Sequence, residues 1–447
     1  MLESTGVHLT AALARAQAEG RLPSVVAGVL RDGELGWSGG RGRCVRPDTD
    51  ERPDADTQYR IGSITKTFVA ALVMQLREEG LLDLDDTVGT HVPEGPYADR
   101  TLRSLLSHTS GMQAEPTGPW WERAPGVDYA ELVRSNPSTG AALPAGQEFH
   151  YSNLGFAVLG EVVARLRERP WDAVLQERLL DPLGMRRTTY HPQQPAADGF
   201  AVDDLDGTLT PEPAPDSGAM APAGQLWSTA ADLVRWMQML VDPPSDVLSR
   251  DSLRLMATVQ GAMPGDDLVG AYGLGLQMAG PGPRVLYGHG GSVPGFASAM
   301  FVHPRTGVGA VVLCNGGYGL DGLGLTRTLV DTVLEHEPPL PPEWRPVQKV
   351  PDHLSELVGP WHWGHAPFVM RTDGHELMLT ATMGTKAFRF RRTGEDTYVG
   401  LSGYHVGETM RVVRHDDGSV SHLDIATFVY TRVPYDPRAP IPGGTDG

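Results

Sequence analysis

The 447 residues read as an α/β (α+β) domain, an antiparallel sheet flanked by helices with a mainly α lobe set into it, followed by a small antiparallel β-barrel. Three observations predict this. Apolar strands stand near both ends of the stretch before residue 338, with helical spacing between them. A proline-dense segment then interrupts the pattern. Beyond it, short strands recur at even intervals around Asp-Gly and Thr-Gly turns.

Leu9–Gly20 puts Leu9, Leu13 and Ala16 on one helical face and ends at a glycine. Val25–Leu30 is an apolar, β-branched run, Arg31-Asp32-Gly33-Glu34 a hairpin turn and Leu35–Ser38 the return strand. Thr65–Gly80 is a helix apolar on most faces, which predicts a central, buried position, with Gly80 as its cap. Helical spacing dominates from about 81 to 236, most clearly at Leu102–Leu106, Tyr129–Arg134, Leu154–Arg167 and Trp171–Leu180. Strands return at Val285–Tyr287, Phe296–Val302 and Val308–Leu313, and Leu323–Leu334 is a closing helix. The partition is therefore 1–337, a semi-rigid proline-rich linker at 338–350, and a β-domain at 351–447. In the last, strands are expected at Phe368–Arg371, Glu376–Thr380, Ala387–Phe390, Met410–Val413 and Phe428–Val433.

The formal charge of −18 argues against nucleic acid or an anionic membrane as the main partner, since both are held by basic surface. Cys44 and Cys314 cannot build a disulfide framework, and Cys314, ending an apolar run, reads as a core residue. The N-terminus lacks a basic segment followed by an apolar one, and no stretch has the length of a membrane span, so a cytoplasmic protein is expected.

Chemistry centres on Ile61–Phe68, I-G-S-I-T-K-T-F. Ser63 and Lys66, three positions apart, share one helical face. A serine hydroxyl needs a base to become a nucleophile, and a desolvated lysine can serve. Lysine is rare here: only Lys66, Lys349 and Lys386 occur among 37 basic residues. The rest are arginines, which do not release a proton at working pH. Tyr151-Ser152-Asn153 adds a phenol that could ionise beside a lysine and relay protons, and an amide for a substrate carbonyl. Taken alone, it is equally the ordinary start of a helix. His289-Gly290-Gly291-Ser292 could let an extended substrate lie along a strand edge, with an N–H beyond the glycines facing an oxyanion. His289 could bond the tyrosine or the substrate, or be a turn histidine in a glycine-rich loop. No histidine pattern suggests a metal, and no cofactor is expected.

Together, Ser63-x-x-Lys66, Tyr151-x-Asn153 and His289-Gly290-Gly291 resemble the serine β-lactamase and penicillin-binding-protein superfamily, in particular class C β-lactamases, D-stereospecific aminopeptidases and related esterases. Leu105–Gly111, Leu81–Asp86 and Leu226–Leu233 are similar to the same family, and the likeness covers roughly residues 1–337. It implies a β-lactamase/transpeptidase-like fold, with Ser63 as the acylated nucleophile and the N–H groups of Ser63 and Ser292 as oxyanion hole. Lys66 and Tyr151 would be base and proton relay, while Asn153, Gly290, Gly291 and the His289 strand would hold substrate. Where β-lactamases usually carry lysine in the third motif, this chain has His289, which removes a fixed cation for a β-lactam carboxylate.

With the expected cytoplasmic location and the C-terminal β-domain, this departure resembles the penicillin-binding-protein-type thioesterases of actinobacterial peptide biosynthesis. The resemblance implies a peptidyl thioester substrate with a D-residue at its acyl end, borne by a carrier domain of a non-ribosomal peptide synthetase and released as a macrocycle. It also implies a lipocalin-like C-terminal domain that covers the site and excludes water, with Trp361, His362, Trp363 or Arg432 as candidates to face the cleft. The arginine-for-lysine bias and the abundance of Gly, Pro and Ala fit a GC-rich genome. The alternatives are a D-stereospecific aminopeptidase, amidase or esterase and, from another class, a non-catalytic acyl-binding protein. If the β-domain shields the acyl-enzyme, deleting residues 351–447 should shift products from cycle to linear acid. An unchanged product ratio by mass spectrometry would count against that role.

Overall fold

The computed structural model describes residues 1–435 and 438, apart from 44, 47–49, 138–139, 264–269, 281–283, 342 and 348. The chain divides into two units, Met1–Pro339 and Leu340–Gly447.

In the first unit, helix α1 (Glu3–Glu19) leads into strands β1 (Ser24–Arg31) and β2 (Glu34–Gly42). The short β3 (Tyr59–Arg60) precedes a single 3-10 turn, Gly62–Ile64, that runs directly into α2 (Thr65–Glu78). The lobe that follows carries α3 (Val88–His91), α4 (Leu102–Leu106), α5 (Tyr129–Ser135), α6 (Asn153–Arg167) and α7 (Trp171–Leu175). Two small ladders, absent from the sequence reading, tie it down. In one, β4 (Phe200–Val202) pairs with β5 (Leu209–Pro211); in the other, β3 pairs with β6 (Trp227–Ser228). After α8 (Ala230–Val241) and α9 (Arg250–Met256) come β7 (Gly261–Ala262), β8 (Gly270–Tyr272), β9 (Gln277–Ala279), β10 (Leu286–Val293), β11 (Phe296–His303), β12 (Val308–Cys314) and α10 (Gly322–His336).

The main sheet is antiparallel, in the order β2-β1-β12-β11-β10-β9-β8-β7. Strand β1 therefore pairs with the distant β12, Val26 opposite Leu313 and Val29 opposite Ala310. Both faces of the sheet are covered, which is why β1 and β12 read as unbroken apolar runs rather than as alternation. Val25, Ala27 and Val29 pack with Leu9 and Leu13 of α1 and Leu329 and Val333 of α10. On the opposite face, Val26 and Leu30 belong to the larger core with α2 and α8.

Helix α2 is buried from Thr65 to Leu76. Trp236 of α8 stacks on Phe68 with ring centroids 3.9 Å apart, and its indole N–H donates to Thr67 Oγ1 at 2.8 Å. Helix ends are capped as their residue types favour: Ser152 accepts from the Gly155 N–H at α6 and Thr229 from the Asp232 N–H at α8. Cys314 is fully buried at the end of β12, and burial pushes its thiol up to about 11. Cys44 lies outside the described residues.

In the second unit a short helix α11 (Asp352–Ser355) precedes a closed eight-stranded barrel, β13 to β20. Its strands are β13 (Gly359–Trp363), β14 (Ala366–Thr372), β15 (Glu376–Ala381), β16 (Ala387–Arg392), β17 (Thr397–Gly400), β18 (Thr409–Arg414), β19 (Val420–Ile425) and β20 (Phe428–Thr431). Closure is made by β20 on β13, with His362 opposite Thr431. Phe388 and Phe390 point inward, while Arg389 and Arg391 point out to Glu376. Strands β13, β17 and β19 escaped the sequence reading because Gly359-Pro360, the brevity of β17 and the His422/Asp424 pair weaken their apolar signal. Trp361 and Arg432 do not stand free to face a cleft. Trp361 is wholly buried in the barrel core and donates to the Leu357 carbonyl at 2.7 Å. The Arg432 guanidinium lies 3.9 Å over the Trp361 ring and donates to the carbonyls of Val358 and Pro360. Both are structural staples.

Phe68→Ala should cost about 3–5 kcal/mol, as expected when a stacked core aromatic is truncated. Urea unfolding followed by far-ultraviolet circular dichroism measures it, and a loss below about 1 kcal/mol would contradict the packing described.

Candidate functional site

Ser63 stands on the 3-10 turn before α2, and Lys66 lies one turn on, with a fully buried side chain. The Nζ is 2.9 Å from Ser63 Oγ and donates to the Ala223 carbonyl at 2.6 Å. Burial pushes the ammonium down to about 7, opposed only in part by Glu115 and Glu122. Near neutral pH a large share of Lys66 is therefore an amine, able to accept the Ser63 proton.

The Tyr151 ring lies beside the same group, its centroid 5.0 Å from Nζ, and the phenol shares a hydrogen bond with Ser63. The expected ease of ionisation is not found. Burial drives the Tyr151 phenol well above its ordinary value, and the Ser63 bond only partly counters this. Tyr151 thus keeps its proton, and Lys66 is the group poised to take one.

Asn153 opens α6. Its amide donates to Glu115 Oε1 at 2.6 Å, and because a carboxylate only accepts, the amide orientation is determined. Its Oδ1 is left buried without a partner, so the group the structure leaves unmet is an acceptor. Sequence reasoning expected Asn153 to donate to a substrate carbonyl; in this structure its Nδ2 is engaged by Glu115.

His289 sits inside β10, not in a loop after a strand as its Gly-rich surroundings suggested. Its Nδ1 is 2.5 Å from the Gly290 carbonyl, which only accepts, so Nδ1 carries the proton and Nε2 accepts from the Tyr272 hydroxyl at 2.8 Å. Burial, reinforced by Lys66, pushes His289 down to about 3. It is a neutral, internally bonded ring. Neither Tyr151 nor the cleft receives its proton.

The glycines bring β10 against the nucleophile. Gly62 has φ +52°, and a Cβ there would meet the Ser292 nitrogen at 2.8 Å. A Cβ on Gly291 would lie 2.1 Å from the Ile61 carbonyl oxygen, which accepts from Ser298 Oγ at 2.9 Å. The Ser292 N–H is thereby held beside the Ser63 turn, where two backbone donors can face one oxyanion.

Ser63, Tyr151, Asn153, His289, Gly290, Gly291 and Ser292 all line one cleft of about 800 Å³. Lys66 lies beneath it. Sequence reasoning missed Glu115, which also lines the cleft and accepts from the Trp121 indole, and Tyr272, the partner of His289. It used His108 only as part of a family stretch. The His108 ring packs 4.1 Å from that of Tyr151, and its Nδ1 accepts from the Ser152 N–H at 3.0 Å. None of the three stands in a chemically diagnostic spacing, so no local signal marks them. Among the described residues no helix is long and apolar enough to cross a membrane.

Residues 9–334 match the family model "Beta-lactamase", and residues 350–432 match "Domain of unknown function (DUF7586)". Penicillin-binding protein 4 of Amycolatopsis lactamdurans is 31% identical over 332 residues, 69% of this chain and 82% of that protein. The structure of SurE aligns over 96% of this chain and 99% of that one, with 25% identity and a TM-score of 0.61, and SurE has also been solved with D-Leu. The D-amino acid amidase of Ochrobactrum anthropi SV3, complexed with D-phenylalanine, aligns over 74% of this chain and 98% of that one, with 26% identity and a TM-score of 0.64.

Because Lys66 must be deprotonated to act as base, acylation should fall as pH drops below about 7 and level off above it. Labelling of Ser63 by an active-site serine probe, followed across pH, measures this. Lys66→Met should slow labelling by about 10²–10⁴-fold; a profile unchanged in that variant would remove Lys66 from the role of base.

Proposed function

The chain belongs to the beta-lactamase family, and from that premise we propose a serine acyltransferase that releases a peptidyl thioester as a macrocycle. Lys66 takes the Ser63 proton as Oγ attacks the thioester carbonyl, and the N–H groups of Ser63 and Ser292 meet the oxyanion. The thiolate leaves, taking a proton from Lys66 through the Tyr151 hydroxyl. The peptide's own amine then attacks the acyl-serine, the proton returns by the same groups, and Ser63 is restored.

The observation that carries this reading is the state of His289. A cation in the third motif would favour a substrate with a carboxylate beside its scissile bond. Here that position holds a neutral imidazole bonded to Tyr272 and Gly290. A thioester acyl end has no such carboxylate, so the site suits it. A D-configured acyl residue is supported by the likeness to structures solved with D-Leu and D-phenylalanine. In this reading the thioester is borne by a carrier domain of a non-ribosomal peptide synthetase, and the enzyme works in the cytoplasm.

A second reading, a D-stereospecific amidase, is favoured by the likeness to the Ochrobactrum anthropi enzyme. A non-catalytic acyl-binding role is disfavoured by the Lys66–Ser63 contact, which such a protein need not keep.

Incubation with a linear peptide thioester ending in a D-residue, read by mass spectrometry beside Ser63→Ala, separates the readings. A product one water lighter than the linear acid, absent from the variant, is expected. Linear acid alone, with turnover of D-amino-acid amides, would replace cyclisation by the amidase reading.

A further inference from the structure

We propose that one end of the C-terminal barrel is a binding site for a small carboxylate with an aromatic or alkyl body. The two ends of the barrel differ. At one, α11 contributes Leu354, and Leu357 follows, to the barrel core, and the Tyr398 hydroxyl donates to the His353 carbonyl. Elsewhere in the barrel a cavity of about 490 Å³ lies among the ends of the β13–β14, β15–β16 and β19–β20 hairpins and the 3-10 turn at Gly403–His405. That volume is in the range of pockets that hold small molecules.

Its walls are aromatic. Trp363 and Phe428 have ring centroids 5.2 Å apart, and Tyr404 stacks on Phe428 with an interplanar angle of 6°. Phe368 and Phe388 form the inner surface. Trp363 and Tyr404 remain 41% and 77% exposed, large apolar surface that a monomeric fold has no need to leave in water.

Two polar groups line this aromatic wall. His405 is 1% exposed, and both of its ring nitrogens are buried without a hydrogen-bond partner. Its ring packs edge-on against Phe388, 4.6 Å between centroids, and so backs the aromatic wall. Lys386 stands at the rim with its ammonium 5.6 Å over the Trp363 ring. Among the described residues it has no carboxylate partner, in a chain of net charge −18. An aromatic-walled cavity with a lysine at its mouth that has no carboxylate partner among the described residues complements an apolar body bearing a carboxylate. The anion pairs with Lys386, and the apolar body lies against the aromatic wall.

The test uses the full chain and anilinonaphthalene sulfonate as a fluorescent probe. Saturable binding is expected, with displacement by phenylbutyrate at least about tenfold more effective than by phenylbutanol, the margin of a charge-assisted contact. Lys386→Gln, at an exposed position, should erase that preference and leave the apolar binding. Thr385→Trp, also exposed, should fill the cavity and abolish binding. Ligand-dependent shifts of the His405 ring nitrogens in ¹⁵N-labelled protein should accompany occupancy. Absence of saturable binding to the wild type would overturn the proposal. So would binding that both variants leave unchanged, because the probe would then sit elsewhere. Loss in Thr385→Trp with no change in Lys386→Gln would refute the carboxylate class.

Discussion

A lysine kept dry beside a serine is the constraint on which the first unit rests. Charged, Lys66 would be severely destabilised by its burial, and among the described residues no carboxylate pairs with it. What surrounds it follows from that need. Helix α2 is buried from Thr65 to Leu76, α6 and the Gly218–Ala223 turn close over its start, and the Ala223 carbonyl is the contact that takes an Nζ proton. The aromatic rings of Tyr151 and Phe156 face the amine at 5.0 and 5.6 Å, which limits water around it without neutralising it by a salt bridge. A base is obtained by withholding a counter-ion.

The second constraint is the close approach of two backbones. The two N–H groups proposed as oxyanion donors belong to residues far apart in sequence, Ser63 and Ser292, and they can be neighbours only where side chains are missing. Gly62 and Gly291 supply that absence, and the Ser298 hydroxyl pins the Ile61 carbonyl from the next strand. The same strand holds His289, whose buried ring packs among Tyr151, Tyr272 and His108. Strand β10 therefore acts through its backbone on the side of Ser63 and through its imidazole on the side of the core.

The barrel is organised by a different economy of charge. Four of its arginines are satisfied locally, Arg414 by Glu356 and Asp396, Arg389 and Arg391 by Glu376, and Arg432 by carbonyls and the Trp361 face. Lys386 and His405 stand outside that scheme.

Ser63, Lys66, Tyr151 and Asn153 were legible in the chain because helical spacing and the scarcity of lysine mark them without any knowledge of distant contacts. The α2 helix, the β1–β2 hairpin and the D-G and T-G turns of the barrel were legible for the same reason: each signal is contained within a few residues. The direction of proton demand was not. Whether Lys66 or Tyr151 gives up its proton more readily depends on burial, which residues from α4, α6 and the turn at Gly218–Ala223 create together. Nor could the sequence reveal that His289 answers to Tyr272, that Asn153 is oriented by Glu115, or that Trp361 and Arg432 are staples. Those pairings join segments brought together by sheet order and barrel closure, and hydrogen-bond direction is decided only where both partners are in place. Residue types and local spacing thus determined which chemistry is present. Tertiary packing decided each group's protonation state and which way it points, because desolvation and hydrogen bonding are properties of the assembled neighbourhood.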